Sequence, residues 1–263
     1  MLYGAIIGDI VGSRFEFTSK PENKDFELFH YSDAITDDTI MTCAIYDAIS
    51  FIISKNITQD MFIKEVFANK LRHYGRLYPC PKGGYGTMFL SWLENADKKP
   101  NYSCGNGSAM RVSSIGWLFN TLEEIEHYAT LSAKVSHDHP EGVKGAVAIA
   151  CSIFIARTTK DKNKVKEYIE DLGYKLRPCD EIPDLFEGKC QETIPICIEA
   201  FLEGNSYEDI IRKVISIGGD TDTNGCISGS LAEAIYPIPQ EYITTCETYL
   251  DDKLLSIVKK ANS

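Results

Sequence analysis

Two short acidic stretches hold the residue types best suited to chemistry. Thr36-Asp37-Asp38-Thr39 sets two carboxylates side by side between threonines. Gly218-Gly219-Asp220-Thr221-Asp222-Thr223-Asn224-Gly225 sets two more, two positions apart, behind a glycine pair. Each precedes an apolar run with helical spacing. Asp and Thr make good helix N-caps, and the helix dipole favours acids in the first turn, so capping accounts for one aspartate in each stretch. It accounts poorly for the second, because neighbouring carboxylates repel. A hard divalent cation bound by carboxylate and hydroxyl oxygens would offset that repulsion. For Thr36–Thr39 alone the two readings balance; the two stretches together favour metal. If they meet in space, Asp37, Asp38, Asp220 and Asp222 with their threonine hydroxyls can hold two ions of the Mg²⁺ or Mn²⁺ type. No Cys or His pair lies nearby, which argues against zinc.

Three further motifs bear on the same chemistry. Glu16, in Gly8-Asp-Ile-Val-Gly-Ser-Arg-Phe-Glu-Phe17, is either a surface glutamate or, enclosed by Phe15 and Phe17, a general-base candidate; Asp9 in the same run is a candidate structural hydrogen-bonder. Ser103-Cys-Gly-Asn-Gly-Ser-Ala-Met-Arg-Val112 is a glycine-rich loop opening a helix, which can expose N–H groups to an anion, although a plain turn looks the same. Ser136-His-Asp-His-Pro-Glu-Gly142 reads as helix punctuation or as a ligand-contacting loop.

The elements that must position these residues are mostly helices. Gly4, Gly8 and Gly12 share one face of a helix over Tyr3–Ser13, where Ile6, Ile7, Ile10 and Val11 fill other positions; such a stripe predicts a second helix packed very close. Apolar periodicity predicts further helices from Asp38 and over Gln59–His73, Leu122–Val135, Val143–Arg157, Cys190–Leu202, Ser206–Ile217, Thr223–Tyr236 and Gln240–Lys259. Ser206-x-x-Asp209 is a capping-box pattern. Tyr78–Gly86, Lys98–Arg111 and Lys175–Lys189 read as loops. With no alternating hairpin pairs, no βαβ rhythm and no linker, the expectation is one compact all-α domain over residues 1–263.

The bulk composition agrees. The chain has 263 residues, 44% of them apolar and 25% charged, which suits a globular protein. A net charge of −11 argues against a general nucleic-acid binder. No apolar run is expected to span a bilayer, and the N-terminus, interrupted by Asp9, does not read as a signal peptide, so a cytoplasmic location is expected. The nine scattered cysteines form no C-x-x-C pair and read as small buried hydrophobes. A monomer is expected.

Taken in order, Gly4–Phe17, Thr36–Met41, Gly84–Phe89, Gly105–Val112, Ser136–Gly142 and Gly218–Gly225 resemble the ADP-ribosylglycohydrolase family. The resemblance implies the family's all-α domain around an acidic cleft holding two divalent cations, Mg²⁺ or Mn²⁺. Thr36, Asp37, Asp38, Asp220, Asp222 and Thr223 match its metal ligands. Glu16 matches a glutamate at the metals or the catalytic water, and Glu16, Asp37 and Asp38 are the carboxylates that could accept that water's proton. The loop bearing Ser103, Gly105, Asn106, Gly107, Ser108 and Met110 matches the one cradling the diphosphate and distal ribose, and His137 matches a ligand-contacting histidine. Cys104 stands where a bulkier residue often lies.

The activity implied is hydrolysis of the bond between C1″ of ADP-ribose and a modified group. That group would be an arginine or serine side chain of a protein, a nucleic-acid end or a small ADP-ribosylated molecule. The alternatives are a two-metal nucleotide phosphohydrolase, disfavoured because Arg111 is the only basic residue in the loop, and a non-catalytic ADP-ribose-binding protein, disfavoured because every acidic position is present.

Overall fold

The computed structural model describes residues 1–95, 99–184 and 188–262. The chain runs through α1 (Tyr3–Gly12), α2 (Asp37–Ser54), α3 (Asp60–Leu77), α4 (Thr87–Glu94), α5 (Gly107–Met110), α6 (Ser113–Leu118) and α7 (Leu122–Lys134). It continues through α8 (Pro140–Thr159), α9 (Lys162–Asp171), α10 (Cys190–Glu203), α11 (Tyr207–Ile217), α12 (Thr221–Glu233), α13 (Gln240–Glu247) and α14 (Asp252–Ala261). Among the described residues there is no strand, only two isolated bridges, Thr36 with Lys82 and Gly105 with Lys189. The expected all-α class is what the protein adopts.

At the centre lie α1 and α12. Every residue of α1 is buried, and α12 is buried from Thr221 through Ala232. The glycine stripe explains how two helices come so close. A Cβ on Gly8 would collide with the carbonyl of Gly225, and one on Gly225 with the carbonyl of Gly8; Gly4 stands against Gly229 in the same way. The apolar side chains around this pair belong to one buried cluster running from Leu2 to Ala261.

Around the central pair, α2 packs on α3 and α14, while α8 packs on α5, α6, α7 and α10. Helix α8 is the one described helix long and apolar enough to cross a bilayer, which the sequence reading did not anticipate. Its buried positions, from Gly142 to Ala156, face neighbouring helices, so its apolarity is that of a core element.

Local signals set the ends. Ser206 Oγ accepts from Asp209 N at 3.0 Å, the cap expected for α11. The final helix expected as one piece is two, because Asp251 caps a new start by accepting from Leu254 N at 2.9 Å. Helix α12 begins at Thr221 and ends at Glu233, two and three residues earlier than expected. The loop expected from Lys98 contains α5, and the one over 175–189 contains a 3₁₀ turn at Cys179–Glu181; Lys98 itself and residues 185–187 lie outside the described residues.

Candidate active site

The central helix pair delivers one acidic stretch to the other. Gly12 at the end of α1 touches the start of α12, where Thr221 Oγ1 donates to Gly12 O at 2.9 Å. The chain leaving α1 then carries Glu16 beside Asp220 and Asp222, and carboxylate oxygens of these three lie within 4.8 Å of one another. Gly218 and Gly219 adopt φ of +95° and +74°, a left-handed backbone that turns α11 sharply into α12 and that other residues adopt only with strain.

Helix α2 is held by Asp9, which is fully buried. Its carboxylate accepts from Thr36 N and Thr39 N, each at 3.1 Å, from Thr36 Oγ1 at 2.8 Å and from Thr39 Oγ1. A buried carboxylate with this many donors is compensated for its lost water. Asp9 is thus the structural hydrogen-bonder expected of it. With α2 fixed in this way, Thr223 Oγ1 donates to Asp38 Oδ2 at 3.2 Å, and the two acidic stretches meet.

The meeting is electrostatically costly. Burial, and next the charge of Asp222, push the carboxyls of Asp37 and Asp38 well above the usual carboxylate range. Burial and the neighbouring Asp220 do the same to Asp222. Glu16, half-buried and facing Asp222, is pushed up to about 8, and Asp220, also by burial first, to about 6. Three oxygens in this cluster, Glu16 Oε2, Asp38 Oδ1 and Asp222 Oδ1, are buried and have no hydrogen-bond partner. Unpartnered buried carboxylate oxygens among like charges, with threonine hydroxyls beside them, form a donor set that suits a hard divalent cation.

These carboxylates face a cleft of about 500 Å³. Its acidic side has Glu16, Asp37, Asp38, Asp220, Asp222 and Thr223. Ser103, Gly105, Asn106, Gly107, Met110 and His137 line it as well. The two sides are joined by Asn106, whose Nδ2 donates to Asp220 Oδ2 at 2.7 Å and to Thr193 Oγ1 at 3.1 Å. His137 is buried, and burial, then the charge of Arg111, holds its imidazole well below the usual histidine value, so it is neutral.

Two residues singled out from the sequence do not line the cleft. Thr36 is the N-cap of α2: its hydroxyl gives its proton to Asp9 and accepts from Asp38 N at 3.1 Å, leaving one lone pair. Ser108 turns away, donating to Gly142 O at 2.8 Å, and so ties α5 to α8. The helix that this loop opens is only four residues long. The histidine motif divides: His139 caps α8 by accepting from Glu141 N at 3.1 Å, while His137 reaches the cleft.

Sequence reasoning missed the wall from Gly83 to Phe89, together with Phe17 and Met41. Gly84–Phe89 is one of the stretches that carry the family resemblance, yet none of its residues stood among the expected site residues. The bridge from Thr36 to Lys82 lays this loop beside the start of α2. The reading of the cysteines also needs correcting: Cys80 is exposed, and Cys104 is partly exposed on the cleft wall.

Comparison with known proteins defines the class. A family model described as ADP-ribosylglycohydrolase matches residues 1–262. The chain is 25% identical to ADP-ribosylhydrolase ARH3 of Homo sapiens, over 97% of this chain and 90% of that protein. It is 28% identical to an uncharacterized protein of Archaeoglobus fulgidus, over 92% of this chain and 88% of that one. Among solved structures, one titled as an ADP-ribosylglycohydrolase-related protein complex shares the fold, with a TM-score of 0.72, 20% identity and coverage of 97% of this chain and 93% of that one. The chain belongs to the ADP-ribosylglycohydrolase family. It is accordingly a hydrolase acting on glycosyl bonds of ADP-ribose.

Proposed function

We propose that the acidic cleft is a two-cation centre that releases ADP-ribose from an ADP-ribosylated protein side chain, such as arginine or serine, or from a small ADP-ribosylated molecule. The observation that carries this reading is the convergence of five carboxylates, three of them with unpartnered buried oxygens, at the floor of one cleft. Asp37, Asp38, Asp220, Asp222 and Thr223 would hold Mg²⁺ or Mn²⁺, with the remaining lone pair of Thr36 as a sixth donor. Bound cations would neutralise the acids and supply Lewis acidity toward oxygen.

The chain's own residues do the rest. Glu16, Asp37 and Asp38 all line the cleft and are the carboxylates that could take the proton of the attacking water. Positive character builds at C1″ as the leaving group departs. Asn106 orients Asp220 from the opposite side. Met110 and the glycines of the 103–107 loop give a ligand close access to backbone, and His137 offers a neutral imidazole. Arg111 Nη2 is taken up by Ser132 O and Ser136 Oγ, so that nitrogen serves the structure rather than a ligand.

The test is product analysis of arginine- and serine-ADP-ribosylated peptides incubated with Mg²⁺, Mn²⁺ or EDTA. Free ADP-ribose released with either metal and lost with EDTA is expected. AMP as the product would replace glycosidic with phosphate-bond hydrolysis, and undiminished release in EDTA would remove the cations from the account.

A further inference from the structure

His137 lines the cleft, and the structure constrains the state of its Nε2. Gly105 and Gly107 stand beside the ring: a Cβ built on them would lie 3.6 and 3.3 Å from His137 Nε2. Glycine at both positions leaves Nε2 facing the cleft past bare backbone. The other ring nitrogen, Nδ1, is 2.8 Å from Ser136 Oγ. Ser136 Oγ is in turn 2.8 Å from Arg111 Nη2, which also donates to Ser132 O at 3.1 Å. Ser136 and Arg111 are 2% and 1% exposed, so water does not compete for these bonds.

The direction of each bond follows from the donor inventory. A guanidinium has only donors, so Ser136 Oγ accepts from Arg111. The hydroxyl has a single proton to give, and among the described residues its other hydrogen bond is to His137 Nδ1. Were Nδ1 protonated, it would donate to Ser136 as well. The buried hydroxyl proton would then have no acceptor, an arrangement that costs the desolvation of that group. The consistent arrangement is Arg111 to Ser136 to Nδ1, which leaves the neutral ring's proton on Nε2.

We infer that Arg111 and Ser136 are positioning residues that fix His137 as the Nε2–H tautomer, making it an obligatory hydrogen-bond donor to an acceptor oxygen of the ligand beside the 103–107 loop. A phosphate oxygen of ADP-ribose has this character, being acceptor-only when ionised. In naming that ligand the inference rests on the proposed function; in naming the tautomer it does not. Burial of the ring keeps it neutral, so the donor is present without a positive charge. Arg111 then acts on His137 through Ser136.

The experiment is ¹⁵N NMR of histidine-labelled protein, with the His137 signals assigned among the five histidines by a His137→Gln variant. In the unaltered chain, protonated Nε2 and unprotonated Nδ1 are expected without ligand, and the Nε2 signal should move when ADP-ribose is added. Ser136→Ala should give mixed tautomers and weaken ADP-ribose binding by the inverse of the fraction that keeps Nε2–H, about twofold for an even mixture. Ser136→Thr, which keeps a hydroxyl, should restore both. A protonated Nδ1 in the unaltered chain overturns the inference whether or not the variants fold. So does an Nε2 signal unmoved by bound ADP-ribose, or a Ser136→Ala protein with unchanged tautomer and affinity. Nε2–H with an ADP-ribose response, but no ADP-ribose released from any substrate, would overturn the proposed reaction and leave the relay standing.

Discussion

The starts of α2 and α12 are both acidic, both buried and both turned to the same cleft, yet they are built by different means. At α2, Thr36 caps the helix in extended backbone, and four donors from Thr36 and Thr39 converge on the single carboxylate of Asp9. At α12, Asp220 is the N-cap but makes no capping hydrogen bond with its side chain. That start is placed by backbone: two left-handed glycines before it, the Gly8–Gly225 contact behind it, and Asn106 reaching Asp220 from across the cleft. One acidic start is fixed chiefly by four donors on a single buried carboxylate, the other chiefly by close backbone approach, with Thr221 and Asn106 adding a side-chain hydrogen bond each. Both arrangements leave carboxylate oxygens unpartnered, Asp38 Oδ1 on one side and Asp222 Oδ1 on the other. A donor set that is complete only across the two stretches is expected of a site meant for something other than the helices themselves.

This contrast can be broken most severely at the backbone. Gly8→Val would drive a branched side chain into the carbonyl of Gly225. The two helices cannot separate without opening the core, so a loss of more than about 4 kcal/mol is expected, read as failure to fold or a large fall in Tm. Gly86→Ala, where a Cβ meets open space, should cost less than about 1 kcal/mol in the same melt. Similar melting of the two variants would show that the close approach is not needed.

A smaller effect on folding and a large one on turnover is expected at Glu16. Glu16→Gln removes a proton acceptor while keeping the shape, and kcat should fall roughly 10²- to 10⁴-fold with substrate binding retained. Unchanged kcat would pass the base to Asp37 or Asp38.

The smallest effect sharpens the electrostatic side of the comparison. Glu16 rises from its ordinary 4.5 to about 8, and Asp220 from 3.8 to about 6. The folded state therefore holds protons that the unfolded chain releases. Stability contributed by these groups is full below about pH 4 and is lost as pH rises through 6 and 8. Metal-free protein should lose stability from this source between pH 5 and 8. Mg²⁺ or Mn²⁺ should raise Tm more at pH 8 than at pH 5, as measured by thermal melts at matched ionic strength. A larger increase at pH 5 would contradict this charge balance.

Much of this arrangement was legible in the sequence, where the signal was local and periodic. The four-residue spacing of Gly4, Gly8 and Gly12 announced a close helix partner, and the two acidic stretches announced a shared site. Other parts were not legible, for physical reasons. Helix α9 buries only Val165 and Ile169, too few apolar positions to show a period. Helices α4 and α6 are short, and α6 includes Gly116, which weakens its propensity. The split between α13 and α14 depends on one cap at Asp251. The link from Asn106 to Asp220, the relay from Arg111 through Ser136 to His137 and the Gly83–Phe89 wall join residues far apart in sequence or lie on loops. No periodicity encodes such contacts.

The most direct test of the central claim, that the two acidic starts form one cation centre, is calorimetric titration of metal-free protein with Mn²⁺, alongside Asp38→Asn and Asp222→Asn. Two ions per unaltered chain are expected, with binding weakened or reduced in stoichiometry by a substitution on either start. Full two-ion binding by the Asp222→Asn or the Asp38→Asn protein, or no binding by the unaltered chain, would contradict it.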